Sequence, residues 1–261
     1  MTNMIIKPFR RADNSADNME FKNIRRLLSY TRRAVDEYKM IEEGDKIAIG
    51  VSGGKDSLAL LAAMWNMRMF YPKKFDICAI TVDMGFEGAD YGKIEDFCKA
   101  MDVEYRIVKT DLAKIIFEVR KESNPCSLCA KMRRGIIHDT AKEMDCNKIA
   151  LGHHFDDVVE TFMMNLFNEG RLGSFSPVTY LSRKDITLIR PLVFAPEKDV
   201  EYFVRQNDLP ICVSMCPEDK HTDRERIKQL LISLEKENKG LRHRIFVAIK
   251  KAGLDGYKEN E

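Results

Sequence analysis

The sequence predicts an α/β fold: a Rossmann-like parallel sheet of about five strands with helices on both faces, extended by further helices at both ends. Short, near-continuous apolar runs alternate with stretches of helical periodicity, the pattern of strands covered on both sides by crossover helices. At 261 residues the chain has the length of one large α/β domain, with or without a smaller appendage. It contains no run of eighteen apolar residues, so no transmembrane helix is expected.

The elements follow in order. Between residues 18 and 40, Phe21, Ile24, Leu27, Leu28, Ala34 and Tyr38 recur at helical spacing. Lys46 to Val51 is a β-branched run that meets a Gly-rich turn, and a helix rich in Leu, Ala and Met follows it. FDICAITVD reads as the second strand, Asp90 to Met101 as a helix and VEYRIVKT as the third strand. Cys126 to Met144 has helical spacing, NKIALGHH is the fourth strand and DDVVETFMMNLF the helix behind it. ITLIRPL is the fifth strand, EKDVEYFVRQND a helix, and the remainder from about His221 is helical. The predicted division is a helical extension at 1–40, an α/β core at 41–210 and a C-terminal helical region at 211–261.

Hydrophobic residues at 44% and charged residues at 32% fit a soluble globular protein, and the net charge of +2 by itself argues for no nucleic acid. The distribution says more. Arg25, Arg26, Arg32 and Arg33 cluster on the first helix, and Arg242, His243 and Arg244 recur near the end. Such clusters are either solvated helix faces or contacts to a phosphate backbone. The stretch MTNMIIKPFRRADNSADNMEF holds only a four-residue apolar patch, too short for a signal-peptide core, so a cytoplasmic protein is expected.

Ser52-Gly53-Gly54-Lys55-Asp56-Ser57 follows the first strand and opens a helix. Two glycines let the backbone approach a ligand, successive N–H groups and the helix N-terminus favour an anion, and Lys55 adds a full charge. The serines supply hydroxyl donors. Asp56 is out of place beside phosphate unless it holds Mg²⁺ or water. The spacing fits neither G-x-x-x-x-G-K-[ST] nor G-x-G-x-x-G.

Leu151-Gly152-His153-His154-Phe155-Asp156-Asp157 ends the fourth strand, with Glu160 and Thr161 one turn on. Asp156 or Asp157 reads as the helix N-cap, and Asp157 and Glu160 share a face. Adjacent histidines in extended chain point to opposite sides, which makes joint zinc ligation awkward. Asp83, closing the second strand, joins the cofactor-binding candidates.

Seven cysteines, an odd count in a reducing compartment, argue against a disulfide framework. Cys78, Cys98 and Cys146 read as packing residues. Cys126 and Cys129 stand at the start of a helix after Pro125, where the helix N-terminus favours thiolate and the spacing brings both sulfurs to one side. A third sulfur must come from Cys212 or Cys216. The pair could be a redox couple, half of a four-cysteine zinc site, or two ligands of a [4Fe–4S] cluster whose fourth iron is open to sulfide.

Three stretches carry a resemblance. SGGKDS is similar to the signature of the N-type ATP pyrophosphatases, the PP-loop family, which adenylate a carbonyl or amide-like oxygen and release pyrophosphate. LGHHFDDVVET resembles the second motif of the tRNA-modifying branch of that family. PCSLCAKMRRG resembles the central stretch of the tRNA 2-thiocytidine synthetase (TtcA) family, and the likeness runs from about Phe21 past Cys216. The resemblance implies ATP and Mg²⁺ held by Ser52 to Ser57, Asp83, His153, Asp156 and Asp157. It also implies a [4Fe–4S] cluster on Cys126, Cys129 and Cys216, which with Lys55 and Asp56 make the catalytic set.

The implied reaction moves sulfur onto a pyrimidine of tRNA, cytidine 32 of the anticodon loop, with a cysteine desulfurase or sulfide as donor. The family tends to homodimers. Arg133 and Arg134 would face substrate phosphates or persulfide, and the basic helices would hold the tRNA backbone. The chain departs from the family in three places: Cys212-Val-Ser-Met-Cys216-Pro217-Glu218-Asp219 instead of Cys-x-x-Cys-Gly-Ser, Phe155 instead of a basic residue, and the insert NEGRLGSFSPVTYLSRKD. Two other readings keep the fold. One is a zinc-stapled PP-loop enzyme using a persulfide or amine acceptor, the other a non-catalytic protein that binds ATP, cluster or RNA.

Overall fold

The computed structural model describes residues 19–120, 125–213, 215–217 and 223–258. The readings that fall on residues 1–18, on Glu218 and Asp219, and on the first residues of the last helical run lie outside them.

The sheet has six strands: β1 (Asp45–Gly50), β2 (Phe75–Asp83), β3 (Glu104–Lys109), β4 (Lys148–Ala150), β5 (Val178–Leu181) and β6 (Ile186–Ile189). Their order is β3-β2-β1-β4-β6-β5. All pairs are parallel except β5 with β6. The sequence predicts about five strands; the sixth is β5, inside the insert NEGRLGSFSPVTYLSRKD, where it predicts none. It is an edge strand whose Tyr180 is 61% exposed, so it shows no continuous apolar run. A tight turn joins it to β6, with Asp185 at φ 46° and the Lys184 N–H donating to the Leu181 carbonyl.

Alternation along the central strands separates two apolar layers. Ile47, Ile49, Ile77 and Ala79 pack into the larger core with residues of α1 (Ile24–Glu37), α2 (Lys55–Phe70) and α7 (Glu197–Gln206). Ala48, Cys78 and Ile80 point the other way, onto Ala141 of α5 (Pro125–Glu143) and Met144 behind it. α2 is buried nearly all round between the sheet, α1 and α7, so it carries no polar stripe. Trp65 fills that layer and donates its indole N–H to the Met101 carbonyl at 2.7 Å. Cys78 and Cys146 are buried packing residues whose sulfurs lie 3.3 Å apart.

The other helices are α3 (Gly92–Ala100), the short α4 (Leu112–Lys114) running into a π-helical segment at Ile115–Arg120, α6 (Phe155–Glu169), α8 (Asp223–Glu237) and α9 (Leu241–Lys251). Ile227, Leu231, Phe246 and Ile249 dock α8 and α9 onto the larger core. Among the described residues no helix is long and apolar enough to cross a membrane.

From β1 the chain builds β2 and β3 to one side, then returns to lay β4 on the other side of β1. The boundary between β1 and β4 is therefore the switch point of the sheet, where the loops after the two strands diverge and leave a crevice.

Candidate active site

The loop after β1 is held by its own serines. The Ser52 N–H donates to Ser57 Oγ at 3.1 Å, Ser57 Oγ donates to the Gly54 carbonyl at 2.9 Å, and the Gly54 N–H donates to Ser52 Oγ at 3.3 Å. Gly53 has φ +85°, and a Cβ there would stand 2.9 Å from Cys212 Cβ. The position thus needs glycine on two counts.

Lys55 opens α2 and reaches across to α7. Its Nζ donates to Glu197 Oε1 at 2.9 Å and to Asp56 Oδ2 at 3.3 Å. Burial pulls this lysine down, yet Asp56 and Glu197 outweigh it and hold the ammonium above the usual range. Burial pushes Asp56 up, against the pull of His154 and Lys55. Asp56 Oδ1 is buried with no hydrogen-bond partner.

The second cluster meets this loop at close range. A Cβ on Gly152 would lie 3.0 Å from the Asp56 carbonyl carbon and oxygen and 3.1 Å from the Ser57 nitrogen. The N-cap of α6 is His154, where Asp156 or Asp157 was expected. His154 Nδ1 accepts from the Asp157 N–H at 3.3 Å, and Asp157 Oδ2 accepts from the His154 N–H at 2.9 Å, a reciprocal capping box. His154 Nε2 then lies 3.7 Å from Asp56 Oδ1.

His153 turns to the other side, its ring tilted by 38° against Phe175 with 4.8 Å between centroids. Burial pushes His153 down to about 4, so its imidazole is neutral. Asp157 Oδ1 accepts from Arg224 Nη1 at 2.6 Å. Burial pushes this carboxyl up, but His154, His153 and Arg224 together bring it below the ordinary range.

Ser52, Asp56, Ser57, Gly152, His153 and Asp157 converge on a cavity of about 290 Å³ at the β1/β4 switch point, walled also by Val51, Ile80, Val82 and Arg133. Gly53, Gly54, Lys55 and His154 stand outside its lining. A larger cavity of about 830 Å³ lies between α1, α7, α8 and α9. Of the predicted site residues only Asp156 lines it, so the smaller cavity is the candidate site.

Asp156 leaves the candidate cavity: its Oδ2 accepts from the Glu197 N–H at 2.7 Å and its Oδ1 from Arg242. Asp83 also stands outside, its Oδ1 accepting from the Gly85 N–H at 3.0 Å. No local pattern marks Glu197 or Arg224, which only packing brings to Lys55 and Asp157, and Arg242, part of the C-terminal basic cluster, binds Asp156 inside the protein.

Arg133 ties α5 to this cavity. It lines the wall and interacts with Cys129. Burial raises the Cys129 thiol, Arg133 counters it and nearby Cys216 raises it further. The helix-terminus preference for thiolate expected from sequence is thus outweighed by burial. Cys216 accompanies Cys129; Cys212 does not. Cys212 Sγ donates to the Asp90 carbonyl at 3.2 Å, its N–H donates to the Gly53 carbonyl at 2.9 Å, and its charged neighbours are Asp90 and Lys93.

Two cysteines one turn apart on α5, with a third thiol close to the second, suit three irons of a cluster. The four-cysteine zinc arrangement loses Cys212 to the phosphate loop. Among the described residues no three metal-ligating side chains are already gathered. For a hard cation, Asp56 Oδ1, which accepts no hydrogen bond and lies 3.3 Å from Lys55 Nζ, and neighbouring Asp157 are the carboxylates that line the cavity.

The basic helix faces are largely engaged within the protein. Arg26 pairs with Asp199 at 3.1 Å, Arg32 with Asp36 and Arg33 with Glu37, while Arg33 also lies over the Phe194 ring at 4.2 Å. Arg244 binds the Asn238 side chain. Most of the arginines read as phosphate contacts therefore have intramolecular partners.

The family model described as the PP-loop domain matches residues 19–235. The tRNA-cytidine(32) 2-sulfurtransferase of Geobacter sulfurreducens is 37% identical over 236 residues, covering 89% of this chain and 91% of its own. The protein of the same name from Geotalea uraniireducens is 41% identical over 216 residues, covering 82% and 86%. Among solved structures, the U34-tRNA thiolase NcsA from Methanococcus maripaludis with its [4Fe-4S] cluster is similar with a TM-score of 0.70 and 26% identity, over 87% of this chain and 78% of that one. The chain belongs to the PP-loop family, within the branch of the tRNA-cytidine(32) 2-sulfurtransferases.

Proposed function

We propose that this chain is an ATP-dependent tRNA sulfurtransferase that replaces O2 of cytidine 32 with sulfur. One observation supports it above the rest: Arg133 lies against Cys129 and also lines the phosphate-loop cavity, so the cysteine helix and the ATP loop open on one site.

In the first step the cytosine O2 attacks the α-phosphorus of ATP. The bond from that phosphorus to the bridging oxygen breaks, and pyrophosphate leaves with its electron pair. A sulfur nucleophile at the sulfide level then adds at C2, and AMP departs carrying the former O2. Both steps are redox-neutral when sulfide supplies the sulfur. A base in a loop is unpaired and reaches such a site without opening a duplex.

The residues divide the work. Ser52, Ser57 and the first N–H groups of α2 bind phosphate oxygens, and Lys55 adds a fixed positive charge where negative charge builds. Asp56 and Asp157 would hold Mg²⁺, a Lewis acid for the phosphates. His153, kept neutral by burial, can donate one hydrogen bond without adding charge. Cys126, Cys129 and Cys216 would hold a [4Fe–4S] cluster, which when bound supplies an open iron able to carry sulfur. Arg133 offsets the thiolate charge at Cys129.

The test is nucleoside analysis by mass spectrometry after anaerobic incubation of the iron-loaded protein with unmodified tRNA, MgATP and sulfide. The reading expects 2-thiocytidine at position 32, with one AMP and one pyrophosphate per thiolated base. ATP turnover with no sulfur in the tRNA, or sulfur on another nucleoside, would overturn it.

A further inference from the structure

α8 carries two cations that no motif in the sequence marks to the acidic residues beside the phosphate loop, Glu197 of α7 and Asp157 of α6. Lys228 Nζ donates to Glu197 Oε1 at 2.7 Å, and Lys55 Nζ donates to that same oxygen at 2.9 Å. Two ammonium groups are thus held side by side, with one carboxylate oxygen between them. One turn earlier, Arg224 gives Nη1 to Asp157 Oδ1 at 2.6 Å and Nη2 to Thr161 Oγ1 at 3.2 Å. Arg224 and Lys228 are four apart and share a helix face.

An internal ion network would explain the contacts, but it leaves two facts over. Like charges repel, and packing two lysines on one carboxylate oxygen is a poor way to make a structural pair. It is a good way to preset a site for an anion of higher charge. Moreover, both lysine side chains remain about a quarter exposed, at 26% and 27%, so a ligand can reach them. Glu197 is fixed at the start of α7, its own N–H donating to Asp156, and therefore keeps both ammonium groups in register.

We propose that Lys228 is a second phosphate-binding lysine, which with Lys55 grips the β- and γ-phosphates of ATP and the pyrophosphate they become. Arg224 is a positioning residue: it seats α8 through Asp157 and Thr161. The inference rests on the adenylation reading above and names the group that meets its leaving anion. Charge on the bridging oxygen grows as the phosphorus–oxygen bond breaks, so an ammonium at the pyrophosphate end lowers that barrier as well as binding ATP.

The experiment is calorimetric titration of the full-length, iron-loaded protein with inorganic pyrophosphate plus Mg²⁺ and, separately, with AMP. Wild type is compared with Lys228→Ala, Lys228→Arg and Lys55→Ala, with melting temperature and iron content as checks on folding. The expected result is at least a tenfold loss of pyrophosphate affinity in Lys228→Ala, unchanged AMP affinity, and recovery of most of the loss in Lys228→Arg. Unchanged pyrophosphate affinity in a Lys228→Ala protein, when Lys55→Ala loses it, would overturn the proposal. So would equal losses for AMP and pyrophosphate, the signature of a merely structural role. A wild type that binds pyrophosphate through Lys228 but thiolates no tRNA would support this grip and overturn only the sulfur transfer.

Discussion

His154 and Asp157 cap one another: each backbone N–H donates to the other's side chain, at 2.9 Å into Asp157 Oδ2 and at 3.3 Å into His154 Nδ1. With Nδ1 accepting, Nε2 faces the buried Asp56 oxygen at 3.7 Å. The start of α6 thereby stands beside the phosphate loop, against which Gly152 packs directly.

Replacing His154 separates the two duties. His154→Ala removes the cap and should lower stability by about 1 kcal/mol. His154→Asn retains a capping oxygen and should restore most of that stability. It cannot reach Asp56, so MgATP affinity should stay low in both variants. Thermal unfolding and calorimetric titration with MgATP read the two effects separately.

Gly152→Ala should damage ATP binding out of proportion to its size. The added methyl would press on the backbone of Asp56 and Ser57, at 3.0 and 3.1 Å, where no side chain can swing aside. Overpacking of this kind costs about 1–3 kcal/mol. The expected outcome is a folded protein with a lowered melting temperature and at least tenfold weaker MgATP binding.

Glu160 predicts a pH dependence. Burial, then the Asp157 charge, raises this carboxyl from 4.5 to about 7. One of its oxygens is buried without a partner. A raised carboxyl means that the folded protein binds a proton which the unfolded chain has released. Its stabilising contribution is therefore full below about 4.5 and is lost as pH rises through about 7. Glu160→Gln should remove that slope and stabilise the protein at pH 8 relative to wild type, by on the order of 1–3 kcal/mol. Denaturant unfolding at pH 5, 6, 7 and 8 checks both the sign and the variant.

Much of this site was legible in the sequence, for physical reasons. Strands β1, β2 and β4 lie inside the sheet and announce themselves as apolar runs, and β3, an edge strand, still carries β-branched and aromatic residues; β5 is a short exposed edge and does not announce itself. Glycines and serines mark the phosphate loop because backbone approach requires them. Asp156 and Asp157 could not be told apart by sequence. Neighbouring residues on a helix point about 100° apart, so one faces the candidate cavity while the other faces α9. Lys228, Arg224 and Glu197 were illegible because their partners lie far away along the chain. Cys212 and Cys216 were equivalent on spacing; the hydrogen bond of Cys212 to Asp90 and its contact with Gly53 distinguish them.

The central claim is that Cys126, Cys129 and Cys216, and not Cys212, form the sulfur-handling part of the site beside the phosphate loop. Its most direct test is the iron and acid-labile sulfide bound per chain after anaerobic purification, for wild type, Cys212→Ala and Cys216→Ala. The account predicts about four irons with matching sulfide in wild type and in Cys212→Ala, and their loss in Cys216→Ala. One zinc and no iron in wild type, or full iron in Cys216→Ala with loss in Cys212→Ala, would contradict it.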